Sequence, residues 1–427
     1  MAISFFPTWL RALLLLGLAG ADLPAQRIWR VHCANPPGTD FTDVPPAVAA
    51  AAPGDVIWVI WDSTRSCSQG FVYSAPVIDK PITMIGINTY GAPGSGFGGG
   101  VLLQGLLEIR GVPSAHRVTI NNFGIVTPTA ASLPLPPHGI HVHDCAGSVL
   151  LEKIYYNGGG FYNSVTRVER CADVCFRGAD LTLSGEPLTF TDSVGTLTSA
   201  VVRWRGPTIM PQYRYTNTDY SLWLTNSRVD VIASYIRGPS LSSYPNYISY
   251  PAALVVGGEM EVGPFSMLEG GSTSGSPVLS LQVMSAGIAR ADTRAILVPG
   301  YGGPPPVQWG QFDATYHDHV IGGEVYHVSV AGPPGGFGLM AVGSSALVPT
   351  PLPGFGLLAL DPASVQVLGL LALDPTDGWA EWTRTVPANV PNDHVFAFQC
   401  ATLAPSGQLG LAKPSPFAVA WPNGVIP

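Results

Sequence analysis

The chain is poor in charge. Asp, Glu, Lys and Arg make up 11% of its 427 residues, against 46% hydrophobic. Lysine is nearly absent: Lys80, Lys153 and Lys413 are the whole set. Helical bundles need charged solvent faces, so this scarcity excludes a mainly helical protein. The net charge of −8 lacks the basic surface that phosphates require, which excludes nucleic acid as a partner. Beyond the N-terminus no run is long and apolar enough to span a bilayer, so the mature chain is expected to have no transmembrane segment. The glycine-rich run Gly91–Gly100 has GxGxxG-like spacing but follows no βαβ pattern, and no cofactor is expected.

What the chain has in quantity is glycine (50) and proline (41). Together with Val, Thr and Ser they predict many short strands joined by turns. At the N-terminus, Arg11 precedes the apolar "ALLLLGLAGA", and Ala19 and Ala21 form a small-x-small site. This pattern predicts a signal peptide over residues 1–21 and export. Exported chains can keep disulfides. Cys33 and Cys67 flank the first predicted element and are the candidate pair. Cys145, Cys171, Cys175 and Cys400 cannot be paired from sequence.

The stretch "FTDVPPAVAAAAPGDVIWVI", Phe41 to Ile60, reads as a short helix and a strand. Thr42 or Asp43 caps the helix, Pro45 and Pro46 fit its first turn, and Pro53-Gly54 ends it. "YSAPVIDKPITMIG" adds two strands bent at Asp79-Lys80-Pro81. This order resembles the opening of exported right-handed parallel β-helix proteins, the pectin-lyase-like group. The resemblance implies a helix covering the first turn of a solenoid, whose end would otherwise expose unpaired backbone.

A loose repeat follows. Val142-x-x-Cys145-Ala146 recurs as Val168-x-x-Cys171-Ala172, and Leu224-x-x-Ser227 has the same shape two periods later. A second recurrent ending is Arg-Gly, at Arg110, Arg177, Arg205 and Arg237. The spacing predicts one β-helix turn per repeat, with eight or nine turns between Val56 and Val298. The expected organisation is an all-β chain: signal peptide 1–21, parallel β-helix with cap 22–300, linker 301–315, and a small β-sandwich 316–427 resembling C-terminal modules of uncharacterised exported bacterial proteins. A pair of Greek-key sandwiches is the competing architecture.

Candidate chemistry is thin. In "GIHVHDC", strand alternation turns His141 and His143 outward on one face if Ile140 and Val142 face the core. Two histidines at this spacing can bind zinc, but a catalytic ion needs a third ligand. Cys145, read as an inward corner residue stacked on Cys171, is not expected to supply it. "YHDH", Tyr316 to His319, is a second pair of the same kind. Glu259 and Glu261 share a strand face if Met260 and Val262 are buried, and glycoside hydrolysis uses two carboxyls about 5–10 Å apart. For sugar stacking, Arg203, Trp204, Arg205, Tyr213, Tyr215 and Trp223 lie within one aromatic-rich stretch. The pectin-lyase-like resemblance carries no catalytic residue over, since no acidic cluster stands beside a basic proton acceptor. The expected function is that of a non-catalytic, secreted surface or matrix protein that contacts polysaccharide or cell-surface components along the solenoid. The alternative is a carbohydrate-active enzyme: a polysaccharide lyase, a glycoside hydrolase or an epimerase.

Overall fold

The computed structural model describes residues 27–61, 72–88, 101–126, 137–158, 164–183, 186–204, 220–239, 250–271, 278–284, 286–298, 300–302, 307–317, 325–385, 395–413 and 418–419. Most strands join one parallel network of 25 strands. It wraps into a solenoid with three faces per turn, a parallel β-helix. The first sheet stacks Val56–Trp61, Thr83–Asn88, 117–121, 148–152, Asp173–Arg177, Val194–Thr198, 228–232, 258–262, Gly287–Asp292 and Gln308–Gly310. The second runs from Val72–Ser74 through Val101–Gln104, Asp180–Leu183, Val201–Trp204, Tyr235–Arg237 and Met267–Glu269 to Ile296–Val298. The third runs from Val77–Ile78 through Leu106–Arg110, His138–His143, Ser164–Glu169 and Leu188–Thr191 to Tyr301–Gly302. About nine turns result, each about 4.8 Å above the last.

The N-terminal cap is built as its residues dictate. Helix α1 spans Val44–Ala50, with prolines in its first turn and Val44, Ala47 and Val48 buried on the core. Asp43 caps it: Oδ1 accepts from the Val44 and Ser74 backbone N–H groups at 2.8 and 2.9 Å. Lys80 Nζ donates to the Ala51 and Ala49 carbonyls at 2.9 and 3.2 Å, where the helix end is electronegative. The Asp55 carboxylate receives Ala52 N–H, Trp29 Nε1–H and Arg27 N–H at 2.8, 2.9 and 3.1 Å. These bonds outweigh the burial cost and lower its pKa. One aspartate thus ends the helix and anchors the edge strand Ile28–Val31, which pairs with Val56–Val59.

Sharp corners need left-handed backbone, and the structure supplies it in two columns. Gly111, Asp144, Arg170, Asp192, Asn226, Gly257 and Ala286 have positive φ between the third and first sheets. Asn122, Lys153, Gly178, Ser199, Ala233 and Phe265 do so between the first and second. Non-glycine residues pay about 1–2 kcal/mol for this conformation. The bend keeps the ladder intact in return: Asp144 N–H, Arg170 N–H and Asp192 N–H bond the carbonyls of Glu169, Thr191 and Thr225 on the next turn at 2.9–3.0 Å.

The interior is a single apolar column, from Val31 to Val307. The sequence repeat lies within it, because Val142 pairs with Val168, Val168 with Phe190, and Phe190 with Leu224. The Arg-Gly endings are a different matter. Arg110 ends a strand of the third sheet, Arg177 one of the first and Arg237 one of the second. Arg205 lies outside the described residues. Their spacing mixed three corners and happened to agree with the true period.

Residues 301–315, read as a linker, contain Tyr301–Gly302 and Gln308–Gly310, which pair as the last parallel strands. Antiparallel pairing starts at Ala314. A three-stranded sheet (Ala314–His317, Val325–Ala331, Trp379–Thr385) faces a six-stranded one built around Phe337–Leu352 and Val395–Leu403. Val328, Val330, Met340, Leu373, Phe398 and Cys400 fill the space between them.

This C-terminal sandwich lies against the outer side of the solenoid's first sheet. Leu360 and Ala397 pack on Leu150 and Cys175. Arg294 is the main polar tie. Its guanidinium binds the Asp292 carboxylate at 2.8 Å and donates to the Asp377, Phe312 and Gly332 carbonyls at 2.8, 2.9 and 3.3 Å.

Candidate functional site

Away from the sandwich contact, side chains also point outward from the second and third sheets. His141 and His143 do so from the third sheet while Ile140 and Val142 are fully buried. Their rings stack with centroids 4.4 Å apart. His143 Nε2 lies 3.1 Å from Glu108, and its Nδ1 lies 2.8 Å from Asp144. Asp144 in turn accepts two bonds from Arg170, at 2.6 and 3.0 Å. His141 sits 3.5 Å from Glu169. The histidines are therefore members of an ion-pair lattice spread over three turns. Among the described residues no three His, Cys, Asp or Glu side chains converge as a metal-binding group. Cys145 is fully buried, just past the corner at Asp144. Residues 318–319 of "YHDH" lie outside the described residues.

The lattice shifts its members in the expected directions. The hydrogen bond from His143, then the nearby cations, hold Glu108 below the usual carboxylate range. Arg170, then His143, hold Asp144 well below it. For His143, burial opposes the charged ring, but bonds to Asp144 and Glu108 outweigh it and raise its pKa.

The acid pair lies elsewhere. Glu259 and Glu261 do share one face of the first sheet, with Met260 and Val262 fully buried on the other. Each has a cation. Arg290 lies 2.6 Å from Glu259, and Lys413 lies 2.6 Å from Glu261 and 2.8 Å from Asp230. Lys413 comes from the sandwich, so local sequence held no sign of it. A cleft of about 580 Å³ opens at this junction, lined by Glu261, Arg290, Phe312, Asp313, Phe355 and Lys413 among others. Burial pushes the Asp313 carboxyl up, although Thr402 donates to it at 2.5 Å.

The aromatic-rich stretch divides. Arg203 points outward from the second sheet, donating to Thr182 at 3.0 Å and to Asp180 at 2.7 and 2.8 Å. Trp204 is only 6% exposed and belongs to the solenoid interior, so it offers no face to a ligand. Alternation along one strand requires this split: residues 203 and 204 cannot both point outward. Trp223 stands on the third sheet, edge-on to Tyr220 at 6.0 Å, and Tyr220 is edge-on to Tyr250 at 5.7 Å. Arg205, Tyr213 and Tyr215 lie outside the described residues.

Register brings in residues that sequence reading passed over. Arg237 lies directly opposite Arg203 on the next turn, and Glu269 opposite Arg237. Arg237 and Glu269 approach to 3.7 Å. The Tyr235 hydroxyl donates to Glu269. Burial, then the bond to Glu269 and its negative charge, push the phenol up to about 12. The shared signal was an outward position on one face of the second sheet, visible only once the turns are aligned.

Cys145, Cys171, Cys175 and Cys400 are free thiols, all buried. Cys67 lies outside the described residues, so the expected Cys33–Cys67 bond is not placed here. No protein-family profile matches the chain, and no curated protein matches it in sequence.

Proposed function

We propose that this is an exported surface or matrix protein of the pectin-lyase-like type that binds polysaccharide along its solenoid without cleaving it. The observation that carries the reading is the pairing of two outward surfaces around one corner. On the second sheet, Arg203, Tyr235 and Arg237 form a row of planar and aromatic hydrogen-bonding groups. On the third, Trp223 and Tyr250 are half-buried, and the buried Tyr220 lies edge-on to both. Aromatic faces beside planar polar groups suit sugar rings, which have apolar faces and polar rims. The ion pairing of Glu259 and Glu261 supports the absence of catalysis at that pair. A Cys33–Cys67 disulfide belongs to the same proposal, supported by the other four cysteines being free thiols.

A glycan array tests the binding. Trp223→Ala and Arg203→Ala should each weaken capture at least tenfold while leaving the melting temperature near that of the parent. Failure of the intact protein to retain any glycan sinks the reading. One observation favours the second reading, a carbohydrate-active enzyme: the junction cleft is lined by two carboxyls, Asp313 and Glu261, and glycoside hydrolysis uses a pair of carboxyls. Release of reducing or unsaturated ends from uronic-acid polymers, lost in Asp313→Asn, would establish that reading instead.

A further inference from the structure

The two sheets of the sandwich treat their edges differently. Trp379–Thr385 closes the three-stranded sheet and carries Glu381 and Arg384, both exposed. Charges on an edge strand discourage pairing with another chain. Gln366–Ala372 pairs with Phe337–Val342, and among the described residues it pairs with no other strand. Its sequence, QVLGLLA, has no charge and no proline. Val367 is 62% and Leu370 67% exposed. The neighbouring strand continues the apolar surface with Phe337 and Leu339, also exposed. A bulge lies between Met340 and Ala341 in this pairing, leaving Gly369–Ala372 as a regular edge opposite 337–340.

We propose that a second copy of this chain pairs with it antiparallel, edge to edge, through Gln366–Ala372. An open edge presents unpaired N–H and C=O groups and so accepts a strand. The charge pattern selects the occupant. A charged strand would lay its charges beside Val367 and Leu370 without partners. The chain's own edge supplies uncharged side chains across a two-fold axis, and such an isologous contact closes at a dimer. The six-stranded sheet would continue from one protomer into the next. The rest of the molecule opposes the contact weakly, since each chain carries a net charge of −8. Added salt should therefore strengthen the association.

Sedimentation velocity over a range of concentrations tests this on the full mature chain. The expected result is a monomer–dimer equilibrium that shifts toward dimer with salt. Leu370→Lys should weaken it at least tenfold with an unchanged thermal melt, since the side chain is exposed. The alternate amides of 369–372 that point away from 337–340 should gain hydrogen-exchange protection as concentration rises. A monomer at every concentration overturns the proposal. So does a dimer indifferent to both Leu370→Lys and Val367→Lys, or an edge that stays open to exchange while the protein is dimeric.

Discussion

The ring of Phe190 occupies the space that a side chain at Gly195 would need. A Cβ at Gly195 would come 2.3 Å from the ring's Cε1 atom. Phe190 enters the interior from the third sheet and meets Phe176 edge-on at 6.3 Å. Gly195 lies between Val174 and Val229 in the inward column of the first sheet. The glycine's role here is therefore volume, and its strand is otherwise regular.

Gly195→Val should cost about 1–3 kcal/mol, the usual penalty for overfilling a packed core. Phe190→Leu, which shortens the intruding side chain, should recover part of that loss when combined with it. Urea denaturation of the two single variants and the double variant checks the coupling. Strict additivity would show that the two side chains do not compete for the same space.

Much of this architecture is legible in the residues themselves. Asp43, the prolines and Asp55 specify the cap through local hydrogen bonds. The alternation of Ile140, Val142 and their successors specifies which side of each strand is inside. What could not be read was set by partners far along the chain. Lys413 reaches Glu261 only because the sandwich folds back on the first sheet. Trp204 and Trp223 part company because they sit on different sheets, Trp204 in phase with buried Val202 and Trp223 out of phase with buried Leu222 and Leu224. The last strands hid in 301–315 because a single solenoid pairing needs only two or three residues, too few to show a period.

The corner column Cys145, Cys171, Ser193, Ser227 explains why cysteine and serine can take the same place in the repeat. Cys145 and Cys171 each direct Sγ to the carbonyl two residues back, at 3.3 Å. Ser193 and Ser227 do the same with hydroxyls at 2.7 and 2.8 Å. A serine at position 145 or 171 thus finds an acceptor ready. Cys145→Ser and Cys171→Ser should each change stability by no more than about 1 kcal/mol, the net scale of one hydrogen bond. Cys145→Val, which adds a branch and no donor, should cost about 1–3 kcal/mol. Thermal melts of the three variants distinguish a corner that reads size and hydrogen bonding from one that requires sulfur.

The histidine lattice should make stability depend on pH. The folded pKa of His143 is raised, so its contribution is full below the unfolded value of about 6.5 and is lost as pH rises through the folded value. Glu108 and Asp144 have lowered pKa values, so theirs is present above their unfolded values and lost as pH falls through the folded ones. Stability should peak between these limits. Denaturant midpoints should decline as pH rises above the unfolded histidine value of about 6.5, and the decline should flatten in His143→Gln. An unchanged slope in that variant would remove His143 as the titrating group.

Arg294 holds the sandwich to the solenoid, and its loss should show as a loss of cooperativity between them. Its side chain is 10% exposed and that of Asp292 is fully buried. Removing the cation leaves a buried carboxylate with the Phe312 and Arg294 backbone N–H groups as its remaining donors. Breaking such a pair on one side costs about 3–5 kcal/mol, whereas replacing both partners costs far less. Arg294→Ala should therefore destabilise strongly, and Asp292→Asn combined with Arg294→Ala should be milder than Arg294→Ala alone. The single variant also frees three carbonyls, including those of Gly332 and Asp377 on the sandwich side. Calorimetry should then resolve two transitions where the parent shows one, and protease should cut near 311–313, between the last solenoid strand and the first sandwich strand. One cooperative transition in Arg294→Ala would mean that the apolar contact of Leu150 and Cys175 with Leu360 and Ala397 couples the two parts without the arginine.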